Sequence, residues 1–190
     1  MHSLRWVQWG ILFWGFYSQA VLAIDLRRVE SGFYTDQYDA HFRKQSKHYF
    51  GPMIDWHWFK AQGIAESNLR PNAKSYKKAY GIMQLLPSTF DEIRQNGAGF
   101  SGAQIEEPRW NIAAGIYYDR YLFRKFAAIE DVTERLNYTF GAYNAGRSRI
   151  IRSLKGLRTE KEPWPQWSSL EGSIPWETSR YVERIYWLME

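Results

Sequence analysis

The sequence predicts a mainly α-helical domain, and three observations carry that prediction. Apolar side chains recur at three-to-four spacing in segment after segment, prolines and glycine clusters fall between those segments, and no alternating strand pattern of convincing length is present. The 190 residues are 45% apolar and 18% aromatic, enough to build one proper core.

Residues 6–23 carry no charge, with Gln8 and Gln19 the main polar interruptions, and Val21-Leu22-Ala23 resembles a signal peptidase site. The expectation is therefore a signal peptide over 1–23 or, if it stays uncleaved, an N-terminal membrane anchor; a buried amphipathic helix is the remaining reading. The chain has no cysteine, which rules out a lipoprotein anchor, a disulfide scaffold and a thiolate nucleophile. Residues 24–35 form a polar lead-in with Arg27, Arg28 and Glu30, and 36–190 form the domain.

A first helix is expected from Asp36 or Tyr38 to about Tyr49, closed by Gly51-Pro52. The next carries Trp56, Phe59, Gly63 and Ile64 on one face, with Lys60 and Gln62 outward and Asp55 capping its start. Pro71 disfavours helical geometry at Arg70, so this helix ends near Asn68 or Leu69. Pro87 opens a third helix, where Ser88 and Asp91 are spaced as a capping box, and glycines at 97, 99 and 102 break the pattern after it. Pro108 opens a fourth over 109–126, with Ile112, Ile116, Leu122 and Phe123 apolar and small residues at 113–115 that admit a close neighbour. A fifth over 132–143 ends at Asn144-Ala145-Gly146. Residues 155–175 dissolve into charge, prolines and two tryptophans, a long loop suited to a wall or cover. Helix pattern resumes over 177–189 with Tyr181, Val182, Ile185 and Leu188.

Glu66 falls in the last turn of the second helix. The negative pole of the helix raises the pKa of a carboxyl there, and partial burial raises it further, the direction a general acid needs. From spacing alone, an ordinary surface glutamate and a proton donor are both open. The formal charge of +5 favours an anionic partner. No recognition helix, glycine-rich phosphate loop or zinc-ligand spacing supports nucleic acid or a metal, and the four histidines, at 2, 41, 48 and 57, form no ligand pattern. No cofactor is called for.

Glu66-Ser67, Pro71-Asn72-Ala73, Ser75, Ala79, Gly81-Ile82-Met83-Gln84, Leu85, Pro87 and Thr89 resemble the signature of soluble lytic transglycosylase (SLT) domains, lysozyme-like enzymes that cleave murein. Asn111-Ile112 with Gly115 and Tyr118, then Ala142-Tyr143-Asn144-Ala145-Gly146, then Glu177-Thr178 with Tyr181-Val182, follow in the family's order. The resemblance covers roughly residues 34–188, and the stretch 38–49 is most similar to membrane-bound transglycosylases of the MltF kind.

The resemblance implies a lysozyme-like fold of the α+β superfamily, here a compact helical domain with at most a small hairpin within 74–82 beside an active-site groove. It implies cleavage of the β-1,4 bond between N-acetylmuramic acid and N-acetylglucosamine, with a 1,6-anhydro end formed and Glu66 as single acid and base. The substrate is then the peptidoglycan glycan strand in the periplasm or another exported location, inner-membrane anchored if the leader is retained, with a cell-envelope machine as a conceivable further partner and no nucleic acid.

Two carboxylates are the usual glycosidase requirement, and no acidic residue lies between Glu66 and Asp91. By carry-over, Ser67 contacts substrate or steadies the acid, Met83 gives an apolar wall and Gln84 meets an acetamido group. Tyr143 and Asn144 lie near the sugar subsites, Tyr181 brings its hydroxyl to Glu66, and Glu177 serves a structural salt bridge. Gly81 permits a close backbone approach. Tyr76-Lys77-Lys78 makes the loop bulkier and more basic than the family's common turn, either to meet murein carboxylates or as a solvated face. A hydrolytic muramidase and a non-catalytic wall-binding assembly protein are the alternatives.

Overall fold

The computed structural model describes residues 27–97 and 99–190, so the leader or anchor expected over 1–23 lies outside the described residues. Helices α1 (Asp39–Phe50), α2 (His57–Ser67), α3 (Pro87–Asn96), α4 (Pro108–Lys125), α5 (Val132–Ala145), α6 (Arg147–Ser153) and α7 (Trp176–Met189) follow in chain order, with a short 3-10 turn at Arg28–Glu30 and another at Trp167–Leu170. The mainly α expectation holds. Where a small hairpin was allowed, only isolated bridges form, Lys74 with Tyr80 and Tyr80 with Leu85.

Helix α4 lies between α1 and α5, and α2 is enclosed by α1 and α7. That enclosure explains why α2 departs from the expected amphipathic pattern. Residues from Phe59 to Ile64 are all buried, and Lys60 and Gln62, expected to face outward, are inside as well. Buried polar groups need partners. The Lys60 ammonium pairs with Asp39 of α1 at 2.7 Å, and the Gln62 carboxamide bonds to Asp119 of α4. At its start, Trp56 and not Asp55 is the capping residue of α2, although the His57 N–H still donates to Asp55 Oδ1 at 3.0 Å from one position further out. At its end, Asn68 and Leu69 turn left-handed, φ 53° and 60°, which redirects the chain before Pro71.

The capping box expected at Ser88 and Asp91 does not form. Pro87 occupies the first helical position of α3, so Leu86 is the capping residue and Ser88 lies inside the helix. Gly146, φ 85°, ends α5 as expected, but α6 begins directly after it, a helix whose short run RSRIIRS gave no periodic signal.

Of the long loop over 155–175, expected to be a wall or cover, only Pro175 lines the groove described below, and its tryptophans lie elsewhere. Trp164 and Trp167 pack edge-on against Tyr138, whose hydroxyl donates to Pro165 O at 2.6 Å, and Trp167 N–H donates to Glu134. The segment thus seals the outer side of α5, because its tryptophans find their apolar partners there.

Asn111 makes two of the side-chain bonds that fasten the loop 80–85 to the core. Asn111, at the start of α4, accepts from Met83 N–H through Oδ1 at 2.8 Å and donates from Nδ2 to Tyr80 O and Ile105 O. Gly81 is required beside it: φ is 76°, and a Cβ would stand 2.5 Å from Asn111 Nδ2. Gly115 plays the matching part on α4, where a Cβ would come within 2.7 Å of Met83 Cγ.

Candidate active site

The C-terminal turn of α2, the loop 75–86, the end of α5 and the start of α7 enclose a groove of about 530 Å³. Glu66 lies on it, half-buried, and Tyr181 of α7 donates its hydroxyl to Glu66 Oε1 at 2.6 Å. Burial pushes the Glu66 carboxyl up to about 8; the Tyr181 hydrogen bond opposes this, and the nearby negative charge of Glu177 adds to it. A carboxyl shifted in this direction keeps its proton to higher pH than an exposed glutamate does, as a proton donor must.

Gln84, Tyr143 and Asn144 also line the groove, but much of their hydrogen-bonding capacity is spent on the protein. Gln84, at a left-handed φ of 46°, donates both amide protons to backbone carbonyls, Ala73 O and Gly81 O, which leaves its oxygen for a ligand. Tyr143 donates to Met83 O at 2.8 Å. Asn144 Oδ1 accepts from Thr178 of α7 at 2.8 Å, which ties the end of α5 to the start of α7.

Two residues expected at the substrate are elsewhere. Met83 is fully buried against Gly115, so it is core filling rather than a groove wall, and only its backbone serves the site. Ser67 is buried too. Its hydroxyl donates to Ile82 O at 2.9 Å and accepts from Arg70 N–H, so it locks the end of α2 to the loop instead of facing a ligand.

Glu177 corrects a further expectation. Among the described residues it forms no ion pair; it is exposed on the groove, one turn before Tyr181 on α7. Arg149, Arg180 and Arg184 line the groove with Lys77, making its rim basic. Reading the sequence did not single out these arginines, because Arg149 lies in the unforeseen α6 and the others look like the solvated face of an amphipathic helix.

Comparison with known proteins gives the same frame. The family model described as the transglycosylase SLT domain matches residues 44–163. A membrane-bound lytic murein transglycosylase F from Desulfosudis oleivorans is 28% identical over 70% of this chain and 28% of its own length. A membrane-bound lytic murein transglycosylase C from Haemophilus ducreyi is 32% identical over 50% of this chain and 27% of its own. Among solved structures, an inactive mutant of the lytic transglycosylase Slt from Pseudomonas aeruginosa is similar with a TM-score of 0.65 at 25% identity, over 80% of this chain and 23% of that one. The 70 kDa soluble lytic transglycosylase of Escherichia coli is similar with a TM-score of 0.61 at 26% identity, over the same shares. The chain thus spans under a third of these relatives.

The raised carboxyl makes a stability prediction. A group whose folded pKa lies above its unfolded value keeps its proton in the folded state where the unfolded chain releases it. That contribution is whole below the ordinary value of 4.5 and is lost as pH rises toward about 8. Glu66→Gln should therefore melt several degrees above the wild type at about pH 8 and equal it near about pH 4, by calorimetry at both pH values.

Proposed function

The chain belongs to the transglycosylase SLT domain family, and from that premise we propose that it is a lytic transglycosylase of peptidoglycan. It cleaves the β-1,4 bond between N-acetylmuramic acid and N-acetylglucosamine and leaves a 1,6-anhydromuramic end. The observation that carries this reading is the Glu66 carboxyl on the groove, with the Tyr181 hydroxyl bonded to it at 2.6 Å.

In the proposed reaction, Glu66 gives its proton to the glycosidic oxygen as the bond from that oxygen to C1 breaks. The muramic N-acetyl oxygen shields the positive charge at C1. The C6 hydroxyl then closes on C1, and the Glu66 carboxylate takes the hydroxyl proton, which regenerates the acid. No water enters and no atom is lost. The Tyr181 hydroxyl stabilises the carboxylate between the two proton transfers and fixes which oxygen faces the substrate. The basic rim, with Lys77 and Arg149, suits a strand that carries anionic stem peptides. A murein substrate and relatives named as membrane-bound murein transglycosylases support an exported location. No helix of the described residues is long and apolar enough to cross a membrane.

Glu177 favours one rival, a hydrolytic muramidase in which a second carboxylate activates water. Against it, Glu177 is solvent-exposed on the same helix as Tyr181, and the 75–79 side of the groove offers Ser75, Tyr76 and Lys77 but no acid.

Mass spectrometry of muropeptides released from purified sacculi separates the two. The proposal predicts anhydro products, one water lighter than hydrolysed ones, retained in Glu177→Gln, with Glu66→Gln below about a hundredth of wild-type turnover. Hydrolysed products that vanish in Glu177→Gln would establish the rival. Tyr181→Phe should lower kcat roughly tenfold or more while moving Tm by only a few degrees; a sharp fall in Tm at unchanged kcat would make Tyr181 a core residue only.

A further inference from the structure

Behind the groove, Gln62 and Asp119 form a pair that takes no part in the scheme above. Gln62 stands one turn before Glu66 on the same face of α2, and Asp119 stands in the middle of α4. Both are fully buried, at 0% exposure. Gln62 Nε2 donates to Asp119 Oδ1 at 3.1 Å, while Asp119 Oδ2 and Gln62 Oε1 are both buried without a partner. These orphaned atoms are complementary. A proton on Oδ2 would give each what it lacks, since a carboxylic acid and a carboxamide close a ring with one N–H and one O–H bond.

The surroundings supply no counter-charge. Glu66 from α2, Tyr118 on the same helix, Tyr143 from α5 and Tyr181 from α7 are the titratable groups that reach Asp119, and none of them is a cation. Helix α1, which also packs on α4, turns Phe42 and Ser46 inward. No Lys, Arg or His among the described residues bonds to either Asp119 oxygen, so an ionised Asp119 would be an uncompensated anion in the core.

We propose that Asp119 is the neutral acid and closes a two-bond ring with Gln62, Gln62 Nε2–H to Asp119 Oδ1 and Asp119 Oδ2–H to Gln62 Oε1, which positions the α2 face presenting Glu66 and keeps a second negative charge from beneath it. Burial pushes the Asp119 carboxyl well upward, and the charge of Glu66 adds to this against the Gln62 hydrogen bond. Asp119 and Gln62 are positioning residues and touch no substrate. Their effect on turnover rests on the proposed acid–base role of Glu66, which must become an anion briefly in each cycle; a neutral Asp119 lets it do so without a like charge alongside.

Asparagine preserves the ring, because its amide donates where the acid hydroxyl did, so Asp119→Asn is the informative variant. In the infrared difference spectrum of the full chain at neutral pH, wild type against Asp119→Asn, the proposal expects the C=O band of a protonated carboxyl, shifting in D2O. Loss of carboxylate bands instead would overturn it. This readout needs no substrate, so it decides the state of Asp119 even if the chain proves inactive on murein.

On murein, the alkaline limb of the rate profile should stay within about 0.3 pH unit of wild type in Asp119→Asn; a fall of about one unit would mean that an anion had been removed, and would overturn the proposal. Asp119→Leu strands the Gln62 amide and should lower kcat about tenfold with KM within about twofold, most of it recovered with asparagine at the same position. Wild-type kcat in Asp119→Leu would overturn the positioning role.

Discussion

A hydroxyl contributed 115 residues further along the chain touches the one carboxyl on which the site is centred. For Tyr181 to reach Glu66, α7 must lie along both α2 and α5, and those contacts are among the main ones in the molecule. The same contact fixes the electrostatics. Burial alone would hold Glu66 neutral, and the tyrosine tempers that by offering a donor to the charged form. The proposed reaction, in which Glu66 gives up a proton and takes one back, needs both influences, since either one alone would strand the group in a single state.

The groove loop is shaped from behind. Asn111, Ser67 and Tyr143 come from three different helices and each bonds to the backbone of the turn that carries Gln84. Their side chains meet mostly peptide groups, and the loop in turn presents a glutamine whose donors are already used. This is a division of labour between residues that hold the turn and residues that line the groove. It explains why a short motif such as Gly81-Ile82-Met83-Gln84 mixes buried and groove-lining positions: the glycine clears space for Asn111, the isoleucine and methionine fill the core, and the glutamine alone reaches the groove.

Much of this was legible in the sequence. The apolar period, with Pro71, Pro87, Pro108 and Gly146 as punctuation, located the ends of the helices to within a few residues, and the resemblance led to Glu66 and its meeting with Tyr181. What escaped did so for physical reasons. Periodicity reports which side chains are apolar, not which polar ones are enclosed, so Lys60 and Gln62 looked solvated although α2 has partners on both sides. A motif match marks residues that matter without saying whether side chain or backbone does the work, and so Met83 and Ser67 were expected at the substrate. The tryptophans of 155–175 could equally have covered the groove or the flank of α5; only tertiary packing decides, and Tyr138 with Phe126 provided the apolar seat.

The proposed chemistry requires that Glu66 carry a proton at neutral pH because of where the fold puts it. Its carboxyl carbon, followed by NMR in glutamate-labelled protein through a pH titration, tests this directly. A midpoint near the value of about 8 that burial imposes is expected; a midpoint at the ordinary 4.5 would rule the proposed role out, because the group would then be a carboxylate with no proton to give.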